Sequence, residues 1–374
     1  MKSRLVSLIA CASLLPALAG CGDTPAEPVP LSGSALAAVT EDAGAPKEAL
    51  AREVDDLFTA EGIGETRAII VMKDGKIAAE RYGENYGRDT RFIGWSMSKT
   101  VTGVLVGMLV GEGRLRLDEP APIGRWRRSG DPRGEIALRH LMQMRSGLRH
   151  EEMADPVYES AEVRMLFLDG RDDMAGFAEA QPLDHAPGAH YQYSTPTTVI
   201  LSDIIARVLA PGGDAGARHA AVDAFLKDRL AGPLGLKSLA AEYDAAGTMI
   251  GGSMIWANAR DWAGFGEFLR HKGAADGAQI VPRSWVAFMT APSPRSPDYG
   301  AQTWLNRASG NERDVLFAER GPEDLFSAVG HLGQYVMVSP SKRLTLVRLG
   351  HTEDEKRDAL EDQLADIIEL YPEG

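Results

Sequence analysis

Gly94-Trp95-Ser96-Met97-Ser98-Lys99-Thr100 is the stretch around which the rest of this chain is organised. It indicates a loop that leads into a helix, because apolar residues follow at helical spacing up to Leu109. Residues three apart on a helix share one face, so the Ser96 hydroxyl and the Lys99 amine can meet. A serine hydroxyl needs a base to become a nucleophile, and a desolvated lysine can be that base. The stretch therefore predicts a reactive Ser-Lys pair.

A second copy of the Ser-x-x-Lys spacing occurs at Ser339-Pro340-Ser341-Lys342. It lies between two strand-like runs, Gln334–Val338 and Leu344–Leu349, and contains a proline. No helix is predicted there that would align the two side chains. We therefore predict a turn at this copy, and the Ser96 copy gains weight only if partners for it occur elsewhere.

Composition narrows the classes of function. The chain has a formal net charge of −13 and no long basic run, so a nucleic-acid partner is not expected. It is 44% hydrophobic and 25% charged, as is typical of a globular protein. The eight histidines are scattered and there is no His-Glu-x-x-His, so we expect no metal and no cofactor. No serine lies in Gly-x-Ser-x-Gly, which argues against an α/β-hydrolase esterase.

The first twenty residues have the pattern of a secretory signal segment. A basic start is followed by the mostly apolar run Leu5–Leu18, which is too short for a typical membrane-spanning helix. Leu18-Ala19-Gly20-Cys21 resembles the lipobox of bacterial lipoproteins. That resemblance implies that Cys21 is lipidated and becomes the first residue of the mature protein. The alternative is an ordinary secretory signal with an incidental cysteine.

A lipid on Cys21 would place the protein in the bacterial cell envelope, held in a membrane and facing the periplasm. Gly22 rather than aspartate follows the cysteine, which favours the outer membrane. Residues 21–45 contain several prolines and alanines without periodicity, and we predict a tether there.

The remaining chain, 46–374, is predicted to form one α/β domain. Strand-like runs lie near both ends, with a hairpin signal at Asp74-Gly75, whereas residues from about 114 to 245 are mostly helical in pattern. This order predicts an antiparallel sheet that is built from both ends of the chain and flanked by helices, with an all-helical lobe inserted. Within the lobe, 146–192 is long and irregular, as functional loops often are.

Glycines recur at four-residue spacing in the serine helix, at Gly103, Gly107 and Gly111. The apolar run Val101–Val110 is too short to cross a membrane, so this is not a membrane dimerisation face. We predict instead a buried central helix that neighbouring elements approach closely.

Two later stretches supply partners for Ser96. Pro187-Gly188-Ala189-His190-Tyr191-Gln192-Tyr193-Ser194-Thr195 places a tyrosine just before a helix, and Gly330-His331-Leu332-Gly333-Gln334 enters a strand. In this order after Ser-x-x-Lys, they resemble the motifs of the serine β-lactamase and penicillin-binding-protein superfamily. The branch of greatest similarity is that of the class C β-lactamase relatives, which include esterases, D-stereospecific peptidases and 6-aminohexanoate-dimer hydrolases. The resemblance covers roughly residues 50 to 350.

The resemblance implies a role for each motif residue. Ser96 would be the nucleophile, Lys99 its base, and Tyr193 the group that passes a proton to the leaving group, through an acyl-serine intermediate. The oxyanion would be bound by the backbone N–H groups of Ser96 and Gln334, and Gly333 would let substrate approach the strand.

Two departures from the lactamase pattern bear on substrate. Thr195 stands where the lactamases have asparagine, and His331 where they have lysine, and a histidine is not a fixed cation at pH 7. We therefore expect a serine hydrolase of small esters or amides. The alternatives are a β-lactamase, a D,D-peptidase or D-aminopeptidase, or a non-catalytic binding or sensor copy. Tyr191, two residues before Tyr193, remains a rival for its role.

Overall fold

The antiparallel sheet predicted from the two ends of the chain is present in the computed structural model, which describes residues 30–310 and 313–374. The strands are β1 (Glu65–Lys73), β2 (Lys76–Tyr82), β3 (Arg91–Ile93), β4 (Ala240–Ala241), β5 (Ile255–Asn258), β6 (Ala274–Ala275), β7 (Ala278–Gln279), β8 (Trp304–Leu305), β9 (Phe326–Gly330), β10 (Gln334–Ser339) and β11 (Leu344–His351). Six of them form the main sheet in the order β2-β1-β11-β10-β9-β8, and β3-β5-β4 form a small second sheet. All pairs of neighbours in the main sheet are antiparallel. The predicted α/β class is confirmed.

The hairpin predicted at Asp74-Gly75 joins β1 to β2. Both turn residues have positive φ, 53° at Asp74 and 76° at Gly75, as a two-residue turn between twisted strands requires. Successive side chains of β1 point to opposite faces of the sheet. Ile69 and Val71 enter one hydrophobic cluster, whereas Ala68 and Ile70 enter the other, so the strand is buried on both faces.

Helices cover both faces of this sheet. Their bounds are α1 (Gly33–Ala37), α2 (Lys47–Thr59), α3 (Met97–Gly111), α4 (Leu138–Met142), α5 (Ala161–Phe167), α6 (Met174–Ala180), α7 (Thr195–Leu209), α8 (Ala215–Phe225), α9 (Gly232–Leu234), α10 (Ala259–Arg270), α11 (Arg283–Met289) and α12 (Arg357–Glu369). Helices α2 and α12 pack together on one face, and α10 packs on β10 and β11 from the other. The elements described between β3 and β4 are helices, and α4 to α9 lie within the predicted lobe.

Helix α3 lies in the middle of the molecule, and its residues from Met97 to Leu109 are buried. Its glycines admit close neighbours, as predicted. A methyl group at Gly107 would lie 2.1 Å from Trp285 Nε1, and that nitrogen donates a hydrogen bond to the Gly103 carbonyl at 3.0 Å. In the part of the chain that the structure describes, no helix combines the length and apolar composition needed to cross a bilayer.

The predicted tether is too long at its C-terminal end. Ala35, Val39 and Ala43 are buried, and α1 packs against α2. Val39 forms an isolated bridge with Ala79, so this segment covers the outer edge of β2. The folded part therefore begins before residue 46. The predicted signal segment 1–20 and Cys21 lie outside the described residues and stay predictions.

Candidate active site

Ser96 lies immediately before α3, at the end of a tight turn. Trp95 adopts a positive φ of 45°, an uncommon conformation that recurs in strained backbone at functional sites. The Gly94 N–H donates to the Ile255 carbonyl at 2.8 Å, and a methyl group on Gly94 would lie 2.6 Å from Trp262. The small sheet and a buried tryptophan thus fix the backbone that presents the Ser96 hydroxyl.

Lys99 is one helical turn beyond Ser96 and is only 1% exposed. Its Nζ donates to Ser96 Oγ at 2.9 Å, to Thr195 Oγ1 at 2.7 Å and to the Gly252 carbonyl at 3.0 Å. The predicted Ser-Lys contact therefore forms. An ammonium in this position uses each of its three N–H groups.

Burial sets the charge state of Lys99. It lowers the lysine pKa, because the charged form loses its hydration, and the nearby carboxylates of Glu152 and Glu162 oppose that shift only in part. A lysine with a lowered pKa is more often the free amine at neutral pH. In that form its lone pair can accept the Ser96 proton.

Tyr193 completes the constellation. Lys99 Nζ lies 4.8 Å from the centre of its ring, and the Tyr193 hydroxyl lies near the Ser96 side chain. The ring packs against Trp304 and Tyr299, at 5.2 Å and 5.8 Å between centres. Burial, helped by the Glu152 carboxylate, holds the pKa of Tyr193 well above its ordinary value. The group is therefore a neutral phenol, which can accept one proton while donating another.

Tyr191, the rival for this role, points elsewhere. Its ring packs against Tyr299 at 5.5 Å, and the Arg313 guanidinium lies over it at 5.0 Å. The structure thus brings Tyr193, rather than Tyr191, to the Ser96 hydroxyl.

Thr195 occupies the centre of a group that sequence reasoning found only in part. Its hydroxyl accepts from Lys99 and donates to Glu152 Oε1 at 2.6 Å, and Glu162 Oε1 lies 3.2 Å away. The Thr195 backbone N–H donates to Glu152 Oε2 at 2.6 Å. Neither glutamate is among the site residues that the sequence predicts, although both belong to the region 146–192, where it predicts a functional loop. No spacing or period in that loop marks them.

The turn between β9 and β10 carries His331, Leu332 and Gly333. The imidazole of His331 is exposed and meets the Trp95 indole edge-on, 5.7 Å between ring centres. Leu332 and Gly333 have φ of 60° and 76°, so this turn bends sharply before β10. The site thus has a histidine beside the residue that precedes Ser96.

Gln334 opens β10, and its side chain turns away from the site. Its Nε2 donates to the carbonyls of His331, Leu332 and Gly350 at 2.8–3.0 Å, and its Oε1 accepts from the Gly350 N–H. The side chain therefore stabilises the turn. Only the backbone of Gln334 is left for the predicted oxyanion role.

Close backbone packing brings this turn to the serine loop. A methyl group on Gly330 would lie 2.3 Å from the Gly94 carbonyl oxygen. On the other side, the buried Arg348 guanidinium donates to the Gly333 carbonyl at 2.8 Å. The start of β10 is thus held between α3 and the sheet interior. Among the described residues, no group of three or more His, Cys, Asp or Glu side chains is placed to hold a metal ion.

The family model described as Beta-lactamase matches residues 54–369. The chain belongs to the beta-lactamase family. The resemblance that the three motifs carried is therefore confirmed, and the match extends from α2 to the end of α12.

Known members of the beta-lactamase family include hydrolases similar to this chain. The 6-aminohexanoate-dimer hydrolase of Paenarthrobacter ureafaciens is 24% identical over 328 residues, which cover 82% of this chain and 78% of that protein. Two solved structures share the fold. A candidate 6-aminohexanoate-dimer hydrolase from Bacillus anthracis has a TM-score of 0.65 at 20% identity, covering 81% of this chain and 79% of that one. EstCE1, a hydrolase with promiscuous acyltransferase activity, has a TM-score of 0.61 at 17% identity, covering 86% and 98%.

Proposed function

We propose that this protein is a serine hydrolase that cleaves ester or amide bonds of small molecules through an acyl-Ser96 intermediate. The observation that carries the proposal is the 2.9 Å contact between Lys99 Nζ and Ser96 Oγ, in a site where Lys99 is buried. A lysine amine at this distance can take the serine proton as the hydroxyl attacks. Membership of the beta-lactamase family supports the same chemistry.

The residues of the site can be assigned to the two half-reactions. Lys99 takes the Ser96 proton, and Ser96 Oγ adds to the substrate carbonyl. The backbone N–H groups of Ser96 and Gln334 stabilise the negative oxygen that develops. Tyr193 passes the proton from Lys99 to the leaving alcohol or amine. Water then attacks the acyl-serine, with the same lysine and tyrosine moving its proton, and Ser96 is regenerated.

The charges of the site favour neutral esters and amides over β-lactams. A β-lactam carries a carboxylate, which the lactamases hold with the lysine that His331 replaces here. Lys99, Glu152 and Glu162 together hold one base and two acids, so the group beside Thr195 is net negative wherever the shared proton sits and would repel a carboxylate. The P. ureafaciens relative acts, by its name, on the 6-aminohexanoate dimer, which supports an amide among the substrates.

The alternatives of the same superfamily are a β-lactamase, a D,D-peptidase and a D-aminopeptidase, and they differ in substrate rather than in mechanism. A non-catalytic copy of the fold is the remaining alternative. The contacts among Ser96, Lys99 and Tyr193 argue against it, because a binding module has no need of a buried lysine on a serine hydroxyl.

A substrate panel with an active-site label tests the proposal. The panel holds p-nitrophenyl esters, a chromogenic cephalosporin, and D-amino-acid and 6-aminohexanoate amides. We expect short-chain ester hydrolysis, weak or no cephalosporin turnover, and labelling of the wild type but not of Ser96→Ala by a fluorophosphonate. Efficient hydrolysis of the cephalosporin, together with no hydrolysis of the esters, would favour a β-lactamase over an esterase or amidase. Labelling of Ser96→Ala equal to that of wild type would remove Ser96 as the nucleophile.

A further inference from the structure

A short chain of hydrogen bonds connects Lys99 to Glu152. Lys99 Nζ donates to Thr195 Oγ1 at 2.7 Å, and that hydroxyl donates to Glu152 Oε1 at 2.6 Å. The other carboxylate oxygen, Glu152 Oε2, accepts from the Thr195 backbone N–H at 2.6 Å. One residue thus fixes both oxygens of the glutamate, and its hydroxyl stands between the glutamate and the proposed base.

Capping of α7 does not account for this arrangement. A carboxylate near a helix N-terminus stabilises the helix, and Glu152 does accept from a first-turn N–H. The N-cap position is nevertheless already occupied, because Ser194 Oγ accepts from the Thr197 N–H at 3.1 Å. The contact with the Thr195 hydroxyl, and through it with Lys99, goes beyond what the helix end requires.

The charges that face this chain do not balance if every group is ionised. Lys99 is the cation that acts most strongly on Glu152, and Glu152 and Glu162 are two carboxylates that meet at the Thr195 hydroxyl. The phenols of Tyr193 and Tyr299 are the other titratable groups close to Glu152. Both glutamates are partly exposed, but their carboxylates share one hydroxyl and repel each other, and this repulsion adds to the raised pKa of Glu152.

We infer that Lys99 and Glu152 exchange one proton through the Thr195 hydroxyl, so that the resting site holds Lys99 as the free amine and Glu152 as the carboxylic acid. In this step a Lys99 N–H bond breaks and a Thr195 O–H bond forms, while the original Thr195 proton passes to Glu152 Oε1. No proton enters or leaves the site. The inference rests on the proposed function, and it makes Glu152 a positioning residue that acts through Thr195.

Burial moves both partners towards their uncharged forms. It lowers the pKa of Lys99 and raises the pKa of Glu152 to about 7, the latter helped by the charge of Glu162. The consequence for catalysis is direct. Loss of the proton to Thr195 leaves the amine lone pair facing Thr195, and rotation about the Cε–Nζ bond turns it to Ser96 Oγ, 2.9 Å from the nitrogen. The amine can then accept the serine proton without first releasing one of its own to solvent.

The protonation state of Lys99 is measurable by NMR of protein labelled with 13C at the lysine side chains. The Lys99 resonance is the one that disappears in Lys99→Met. In the wild type at pH 7 we expect this resonance at the position of a free amine, while exposed lysines report ammonium. An ammonium signal for Lys99 at pH 7 would overturn the inference.

Infrared difference spectra report on the other partner. Wild type minus Glu152→Gln at pH 6 should contain a carboxylic acid C=O band, and its midpoint of loss on raising the pH should lie about 7. Glu151→Gln is the matched control, because Glu151 is the exposed neighbour on the same loop and should leave that band in place. A spectrum in which Glu152 is fully ionised at pH 6 contradicts the proton exchange.

The pH profile of kcat/KM separates proton exchange from a simple ion pair. Glutamine at 152 imitates the protonated acid, so the rising limb of the profile should stay within about half a pH unit of wild type. An ion pair would instead lose the charge that holds Lys99 protonated, and the limb would move to lower pH by roughly a unit or more. A shift of that size would overturn the inference.

Substitutions of Thr195 test whether the proton passes between Lys99 and Glu152 through its hydroxyl. Thr195→Val removes the hydroxyl but keeps the shape, and we expect kcat to fall at least about tenfold, whereas Thr195→Ser keeps the hydroxyl and should retain most of it. Equal activity of the two variants would contradict a path through this oxygen.

Failure of this inference differs from failure of the proposed function. Ester turnover that depends on Ser96, combined with an ammonium at Lys99, removes the proton exchange and leaves the hydrolase intact. If Lys99 is a free amine but the protein turns over no ester or amide, the proposed hydrolase function is contradicted and the proton exchange stands.

Discussion

Loss of any one of Ser96, Lys99 and Tyr193 should abolish most of the activity, because the same proton passes through all three side chains. We predict that Ser96→Ala, Lys99→Ala and Tyr193→Phe each lower kcat at least roughly a hundredfold, the low end for general acid–base catalysis. A double variant should lose little more than the worse single one, since a base without its nucleophile does nothing. Steady-state hydrolysis of a p-nitrophenyl ester measures these losses.

Tyr191→Phe is the matched control for Tyr193→Phe. Both remove one phenolic hydroxyl from neighbouring rings, but the centre of the Tyr193 ring lies 4.8 Å from Lys99 Nζ, whereas the Tyr191 ring packs against Tyr299 under the Arg313 guanidinium. We expect a mild effect at Tyr191. If Tyr191→Phe is the crippling change and Tyr193→Phe is not, the tyrosine motif has been placed two residues too late.

The site residues that could be predicted from the sequence are those that lie a few residues apart in a short motif. Ser96 and Lys99 are one helical turn apart, and Tyr193 and Thr195 adjoin the start of a helix, so short patterns mark them. Glu152 reaches Thr195 across 43 residues of chain from an irregular loop. No period marks such a residue, because its position depends on how the loop folds over α7.

At the scale of elements, α3 packs so closely on α11 that one added methyl group should lower the stability of the fold. A Cβ at Gly107 would lie 2.1 Å from Trp285 Nε1, and that ring is buried and tied to the Gly103 carbonyl. Alanine is the better helix former by about 1 kcal/mol, but overpacking costs typically 1–3 kcal/mol. We predict that Gly107→Ala lowers the free energy of unfolding, measured by urea denaturation.

Gly124→Ala is the control for that substitution. Gly124 lies in a short 3-10 helix, Gly124–Arg127, and a methyl group there meets nothing within 4 Å. It should change stability by no more than about 0.5 kcal/mol, as surface substitutions usually do. Equal stability of the two variants would show that α3 does not pack on Trp285 as described.

The contact between β10 and α12 predicts a pH dependence of stability. Tyr335 donates to Glu361 Oε1 at 2.7 Å, and burial raises the pKa of Glu361 to about 8. A carboxyl whose pKa is raised on folding stabilises the fold fully below its unfolded pKa, and this contribution is lost as the pH rises through the folded value. We expect the melting temperature to fall between about pH 5 and pH 8 by a few degrees more in wild type than in Glu361→Gln.

Glu355→Gln serves as the control for Glu361→Gln. Glu355 is exposed just before α12 and should leave the pH dependence of wild type unchanged. A Glu361→Gln protein that loses stability with pH as steeply as wild type would show that Glu361 is already ionised at pH 5.

The elements with strong local signals were predictable, and those fixed by tertiary contact were not. Asp74-Gly75 marked a hairpin because its turn type demands such residues. Val39 joins the edge of β2 by one isolated bridge, which gives no alternation to detect. Residues 33–45 therefore read as a tether, although Ala35 and Ala43 are buried.

At the scale of the whole molecule, the anchoring of the protein remains a proposal that rests on Leu18-Ala19-Gly20-Cys21. If Cys21 carries the lipid, Cys21→Ser should move the protein from the membrane to the soluble fraction of the cell envelope. Fractionation and immunoblotting measure this, with labelling by a radioactive fatty acid as a second readout. Membrane association of the variant equal to that of wild type would contradict the lipoprotein hypothesis.

The family could be inferred from sequence because its three motifs are short, ordered and individually tied to one reaction. The proposed preference for esters or amides rests in part on the positions of Glu152 and Glu162 beside Thr195. Residue spacing and composition do not predict where these glutamates lie. The proposed preference therefore rests on the structure as well as on the sequence.

If Ser96 is the nucleophile, turnover passes through an ester bond to its hydroxyl oxygen. The most direct test is mass spectrometry of protein quenched with acid within the first turnovers of a slow p-nitrophenyl ester, followed by peptide mapping. We expect a mass increase equal to the acyl group, on the peptide that contains Ser96, in wild type and not in Ser96→Ala. Full turnover by Ser96→Ala, or an acyl group on a different residue, would contradict it.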